Sequence, residues 1–79
     1  MRVVNEILHP DCKITIFAWN NRYIVKLEQG YLEQTYKIDQ YDVADESDLF
    51  KIVDSEFIQQ ALTRFADMGQ SLHDALQKA

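Results

Sequence analysis

A pair of asparagines at positions 20 and 21 separates two stretches of alternating apolar and polar residues, and it predicts a tight turn between two strands. Asparagine tolerates the positive φ that a two-residue type I′ hairpin turn requires. The turn fixes which residues face each other across the ladder. The predicted pairs are Trp19 with Arg22, Phe17 with Ile24, Thr15 with Lys26 and Lys13 with Glu28.

A second turn is predicted at Gln29-Gly30, with glycine at the second central position. It places Tyr31 opposite Glu28, and Glu33 opposite Lys26. The two turns were assigned independently, yet both put an opposite-charge pair, Lys13–Glu28 or Lys26–Glu33, on the same face of the sheet. Because a one-residue slip moves every side chain to the other face, these pairs support the register.

The other face of this sheet collects the apolar residues of three strands, and we expect it to face the core. Its members are Ile14, Ile16, Ala18, Tyr23, Val25, Leu27, Leu32, Tyr36 and Ile38, with Gln34 as the one polar residue. A further strand is predicted over residues 2–8, before a turn at residues 9–12. In that strand Val3, Asn5 and Ile7 would face the core, and Val4, Glu6 and Leu8 would face outward. Its alternation is irregular, so a short helix is the alternative.

Beyond residue 43 the period changes to that of a helix. Asp45 and Asp48 have the spacing of an N-terminal cap, and a short helical segment follows over residues 49–53. A longer amphipathic helix begins at Asp54 or Ser55. Its apolar positions are Ile58, Ala61, Leu62, Phe65, Met68, Leu72, Ala75 and Leu76. The spacing continues through Gly69, which favours one helix, and a stop at Gly69 is the alternative.

The predicted fold is therefore a single α+β domain over residues 1–79. It is an antiparallel three- to four-stranded β-meander with one face covered by the C-terminal amphipathic helix. In the core we expect Leu62, Phe65 and Leu72 of the helix to pack on the sheet.

Charge argues against nucleic acid as the partner. The chain has a net charge of −5, and its eight Lys and Arg residues are scattered rather than clustered. Residues 39–56 contain seven acidic residues and one base. Acidic side chains favour a helix N-terminus, which explains this segment without a partner. An acidic docking surface for a basic partner is the alternative.

Few residues offer chemistry. Cys12 is the only cysteine, so a disulfide framework is excluded. His9 and Cys12 could form a nucleophile pair, or with His73 part of a zinc site, but neither set has enough members. We therefore predict no enzyme, no metal and no cofactor. Neither an apolar leader nor a membrane-length apolar stretch is evident, which predicts a cytoplasmic protein without membrane contact.

The face of the sheet away from the helix holds the candidate interaction residues Phe17, Trp19, Arg22, Ile24 and Tyr31. Exposed aromatic side chains near an arginine are typical of interface anchors. We expect a homodimer or a docked protein partner, through sheet-to-sheet contact or edge pairing. A small ligand or single-stranded nucleic acid bound on the aromatic face is the alternative. Shielding of this face by the long side chains of Arg22 and Lys26 is the structural explanation.

Three segments together resemble a small family of short bacterial cytoplasmic proteins of unknown function. They are NEILHPDCKITIFAWNN, EQGYLEQTYKI and FIQQALTRFADMGQSLHDAL. The resemblance extends over nearly the whole chain and implies a bacterial, cytoplasmic setting. It includes no catalytic motif, so it assigns no functional residues.

Overall fold

The structure, a computed structural model, describes residues 1–79 and contains one antiparallel sheet with the strand order β1-β2-β3-β4. The strands are β1 (Arg2–His9), β2 (Cys12–Trp19), β3 (Arg22–Gln29) and β4 (Leu32–Asp39). Two 3₁₀ turns follow, Gln40–Asp42 and Glu46–Asp48, and then the helices α1 (Leu49–Ile52) and α2 (Ser55–Leu76). The predicted α+β meander with a C-terminal helix is confirmed.

The first hairpin has the predicted turn and the predicted register. Asn20 and Asn21 have φ values of 51° and 61°, as a type I′ turn requires at both central positions. All four predicted pairs between β2 and β3 are present, from Trp19–Arg22 to Lys13–Glu28. Asparagine chemistry therefore sets the register of the two central strands.

The predicted position of the second turn is wrong. Gln29 pairs with Leu32, so the central residues are Gly30 and Tyr31, and Gly30 has a φ of +60°. Glycine at the first central position is the type II′ pattern. Glu28 therefore lies opposite Glu33 rather than Tyr31. The error is two residues, so every side chain of β4 keeps its predicted face.

A β-bulge in β1 places two of its residues on the faces of the sheet opposite to those predicted. Val3 pairs with Phe17 and Asn5 pairs with Ile16, so Val4 is the extra residue between them. Val3 thus faces outward and Val4 packs against the core, the opposite of the prediction for both. The rest of β1 keeps its predicted facing, with Asn5 on the core side and the apolar Leu8 facing outward.

The core lies between the sheet and the helices. Its fully buried members are Ile14, Ile16, Val25 and Leu27 from the sheet, Leu49 from α1, and Ala61 and Phe65 from α2. The polar Gln34 attaches α2 to β4, because its Nε2 donates to the Ala61 carbonyl oxygen at 2.8 Å. The Gln34 Oε1 accepts from the Tyr36 hydroxyl at 2.8 Å and from Arg64 Nε at 3.0 Å. Both the nitrogen and the oxygen of this buried amide therefore have hydrogen-bond partners.

Helix α2 runs antiparallel to β4 and extends past the end of the sheet. Phe57, near its start, makes an edge-to-face contact with Tyr36 at 5.3 Å, and Gly69 lies beside Leu32 at the other end of the strand. A 22-residue helix is about 33 Å long, whereas an eight-residue strand spans about 26 Å. Leu72 therefore lies at the overhang with 42% of its surface exposed. The prediction that Leu72 packs on the sheet is wrong.

Gly69 lies inside a continuous helix, as predicted, and it leaves room for a side chain. A Cβ atom there would meet Leu32 Cδ1 at 3.6 Å, which is an ordinary contact. We expect Gly69→Ala to raise the free energy of unfolding by up to about 1 kcal/mol, because alanine restricts the unfolded chain and favours a helix. Gly30→Ala, at φ +60°, should instead lower it by about 1–2 kcal/mol. Urea unfolding of both variants checks this pair, and a loss of stability in Gly69→Ala would contradict the observed helix geometry.

Candidate functional site

The candidate site is the outer face, defined as the face of the sheet opposite α2. Neither helix covers it, because α1 and α2 both pack on the other face. Its residues are Val3, Glu6 and Leu8 from β1, Lys13, Thr15, Phe17 and Trp19 from β2, Arg22, Ile24, Lys26 and Glu28 from β3, and Glu33, Thr35, Lys37 and Asp39 from β4.

Apart from Leu8 at the other end of β1, the apolar residues of the outer face gather near the Asn20-Asn21 turn. Phe17 lies in one row between Val3 and Ile24, and Trp19 lies two residues further along β2. Ile24 is only 9% exposed, because neighbouring side chains cover it on the same face. Trp19 is 50% exposed and Val3 is 54% exposed. The centre of the cluster is thus shielded from solvent, whereas its edge, at Trp19 and Val3, is about half exposed.

No arginine makes a cation–π contact with the indole of Trp19. The cation–π contacts of the structure belong to Arg64, whose guanidinium lies 5.9 Å from the ring centres of Tyr36 and Phe57 on the helix side. Lys26 is partly buried and makes an ion pair with Glu33 at 3.7 Å, diagonal to its ladder partner. Shielding by long side chains is therefore strongest in the middle of the outer face and leaves half of the Trp19 surface exposed.

Tyr31 does not belong to the cluster. It lies in the turn at the opposite end of the strands, about 24 Å along β3 from the Trp19 row, and is 94% exposed. There it borders a shallow cavity of about 250 Å³ together with Leu72 and Leu76 of α2. The structure thus brings together four of the five predicted site residues, Phe17, Trp19, Arg22 and Ile24. Tyr31 lies elsewhere, and Val3, which was not predicted, joins the cluster. The irregular alternation of β1 was the only sequence signal for Val3.

Charge is divided unevenly between the two sides of the molecule. The outer face holds four bases and four acids, which leaves four bases and nine acids for the rest of the chain. The outer face is therefore neutral, and the net charge of −5 lies elsewhere. The ion pairs within the chain are Arg2–Glu46, Lys26–Glu33 and Lys51–Asp48. Several charged groups of the outer face, Lys13 and Glu28 among them, make no ion pair within the chain.

Cys12 and His9 are paired across the β1–β2 ladder, but their environment is that of a core thiol. Burial, and then the nearby Asp11 carboxylate, raises the pKa of Cys12 above its ordinary value. A nucleophilic cysteine needs a lowered pKa, so the geometry favours a structural role. His9 Nδ1 accepts from the Asp11 N–H at 3.1 Å and helps to hold the turn.

The acidic segment caps helices, as its spacing predicts. The Asp45 N–H donates to Asp48 Oδ2 at 3.2 Å, and Asp54 Oδ1 accepts from the Phe57 N–H at 2.9 Å at the start of α2. His73 lies on an exposed turn of α2. None of the His, Cys, Asp and Glu side chains gather in a group of three that could hold a metal ion.

Neither helix combines the length and the apolar character of a membrane-spanning segment. The features of the molecule that bear on function are those of the outer face, namely the half-exposed indole of Trp19 and the equal numbers of acids and bases. No protein-family model, no curated protein and no solved structure matches this chain.

Proposed function

We propose that the protein is a non-enzymatic self-association module that forms a homodimer through the outer face. One observation carries the proposal: an aromatic cluster with a half-exposed Trp19 lies on a sheet face that no other element covers. Tryptophan is one of the residue types enriched among the anchors of protein interfaces. A chain of 79 residues also has a small core, so burial of a second apolar surface adds stability that it lacks.

The charge distribution supports a second copy as the partner. Two copies with a net charge of −5 repel each other, and nine of the acids lie on the helix side and the connecting segments. Contact through the neutral outer face keeps those acids apart. Four acids on the outer face also oppose a nucleic-acid backbone, which requires an excess of bases.

The cavities of the molecule support a protein partner over a small ligand. One cavity, of about 330 Å³, lies beside Asp11 and Gly30, and the other lies beside Tyr31. Both are at the end of the sheet away from Trp19, and a small-molecule site is normally concave. The aromatic cluster therefore offers a flat surface, which suits a protein.

A bacterial cytoplasmic setting is part of the proposal. The lone, buried Cys12 suits a reducing compartment, where small domains do without disulfide bonds. The resemblance of the sequence to short bacterial cytoplasmic proteins supports the same setting.

The mass in solution tests the proposal. At tens of micromolar, sedimentation equilibrium should give a dimer for the wild type and a monomer for the Phe17→Glu, Trp19→Glu double variant, because two buried carboxylates would face each partner. The matched control is Leu72→Glu, Leu76→Glu, which changes two exposed apolar residues outside the outer face and should remain dimeric. A monomeric wild type, or a control that also dissociates, would contradict the proposal.

A further inference from the structure

The strand pairs of the central hairpin are complementary to one another. Across the β2–β3 ladder an aromatic residue faces a cation in Trp19–Arg22, an apolar residue faces another in Phe17–Ile24, and a base faces an acid in Lys13–Glu28. All of these side chains lie on the outer face. A symmetric contact that exchanges β2 and β3 between two copies would thus place each of these six residues over a complement, and Thr15 over Lys26.

We propose that two copies pack face to face about a twofold axis that runs along the strands between β2 and β3. This arrangement rests on the proposed function. This axis lays β2 of one copy over β3 of the second copy. Trp19 then meets Arg22, and Lys13 meets Glu28, each contact occurring twice by symmetry. Packed sheets cross at about 30°, which displaces the strand ends by roughly 6–7 Å, more than the strand spacing of about 4.8 Å, so Lys13, Glu28 and Arg22 reach their partners only through their long side chains.

These groups are available for a partner. Lys13 and Glu28 face each other in the ladder without forming an ion pair, and Arg22 forms none with Asp39. The Trp19 ring carries no cation from its own chain. An intermolecular ion pair therefore replaces water at these groups and does not compete with an internal salt bridge.

Two other arrangements conflict with the charges or with the strand edges. A twofold axis across the strands, through the Phe17 row, would place Lys37 over its own copy and Arg22 over Lys26. Like charges in contact oppose binding. Edge pairing is opposed by the bulge at Val4 in β1 and by the charged residues along β4, both of which are features that protect exposed edges.

The outer face is close to the size that a stable dimer requires. Four strands about 4.8 Å apart and about 26 Å long present roughly 500 Å² in projection. The accessible area of the side chains exceeds this projection. It approaches the roughly 600–1,000 Å² per partner that stable interfaces bury.

Two charge reversals test the arrangement by mixing. Residue 13 of each copy contacts residue 28 of the other copy, so this contact occurs twice in the dimer. In the Lys13→Glu variant both contacts join two acids, and in the Glu28→Lys variant both join two bases. Each variant should dimerise about tenfold or more weakly than the wild type. An equimolar mixture should recover an affinity near that of the wild type, because both contacts in the mixed dimer are attractive. Within each chain the like-charge pair remains, so recovery cannot come from the monomers.

The control mixture is Lys78→Glu with Glu56→Lys, two exposed residues off the outer face with the same changes in net charge. We expect neither control variant to change the dimer affinity by as much as threefold, roughly the effect of one exposed ion pair. A wild-type dimer whose Lys13 and Glu28 reversals have no effect, or do not recover on mixing, would overturn this arrangement and leave the proposed dimer intact. A monomeric wild type would overturn both proposals.

Discussion

Replacing Phe65 by alanine should lower the free energy of unfolding by about 3–5 kcal/mol. Phe65 is 1% exposed, and it lies on the face of α2 that packs against the sheet. Truncation removes apolar contacts and leaves a cavity that the rigid sheet fills only in part. The free energy of unfolding of a small domain is about 5 kcal/mol or slightly more, so urea unfolding should show that the variant is barely stable.

Two variants keep this prediction testable if Phe65→Ala does not fold. Phe65→Leu removes less volume and should fall between the wild type and alanine. Leu72→Ala, one turn beyond the sheet on the same helix, should cost about 1 kcal/mol or less, because Leu72 is already 42% exposed. Equal losses for Phe65→Ala and Leu72→Ala would contradict the observed position of α2.

Leu49→Ala should be nearly as damaging, with an expected loss of about 2–5 kcal/mol. Leu49 opens the single turn of α1 and is completely buried in the core between the sheet and α2. A helix of four residues has almost no stability of its own, so this side chain is what holds the segment to the core.

The neighbouring Phe50 provides the matched control for Leu49. Its apolar side chain is larger, but 43% of its surface is exposed. Phe50→Ala should therefore change the unfolding free energy by about 1 kcal/mol or less. Denaturant melts of the two variants compare them directly. A larger loss for Phe50→Ala than for Leu49→Ala would show that the connecting segment packs in another way.

The first hairpin could be predicted from sequence because its turn has a single solution. Two adjacent asparagines provide positive φ at both central positions, and the charge pair Lys13–Glu28 agrees with the same register. The second hairpin contains one glycine, which fits either central position of a two-residue turn. Because the two solutions differ by two residues, the alternation of apolar residues in β4 cannot distinguish them.

The candidate site was predicted in part for the same reason. The asparagine turn fixes the predicted positions of four site residues, and the structure places them together: Phe17, Trp19, Arg22 and Ile24. Tyr31 was predicted opposite Glu28, which already put it at the far end of β3 from Trp19, and the corrected turn moves it out of the strand altogether.

Two further errors have physical causes that a pattern of residues does not contain. A β-bulge shifts the alternation by one residue, so Val3 and Val4 exchange faces without any change in composition. The apolar seam of α2 continues through Leu72, but periodicity does not show how far the sheet extends beneath a helix. Gln34 was the one polar residue on the predicted core face, and its hydrogen bond to the Ala61 carbonyl oxygen explains it.

The emission of Trp19 across a dilution series tests the role of the outer face most directly. Trp19 is the only tryptophan, so its emission reports on this face alone. Dimerisation through the outer face predicts a blue-shifted emission, poorly quenched by acrylamide, at high micromolar protein. On dilution to nanomolar protein the emission should shift to that of a solvated indole. An emission that already belongs to a solvated indole at high concentration, and that dilution does not change, would contradict the claim that this face is the interface.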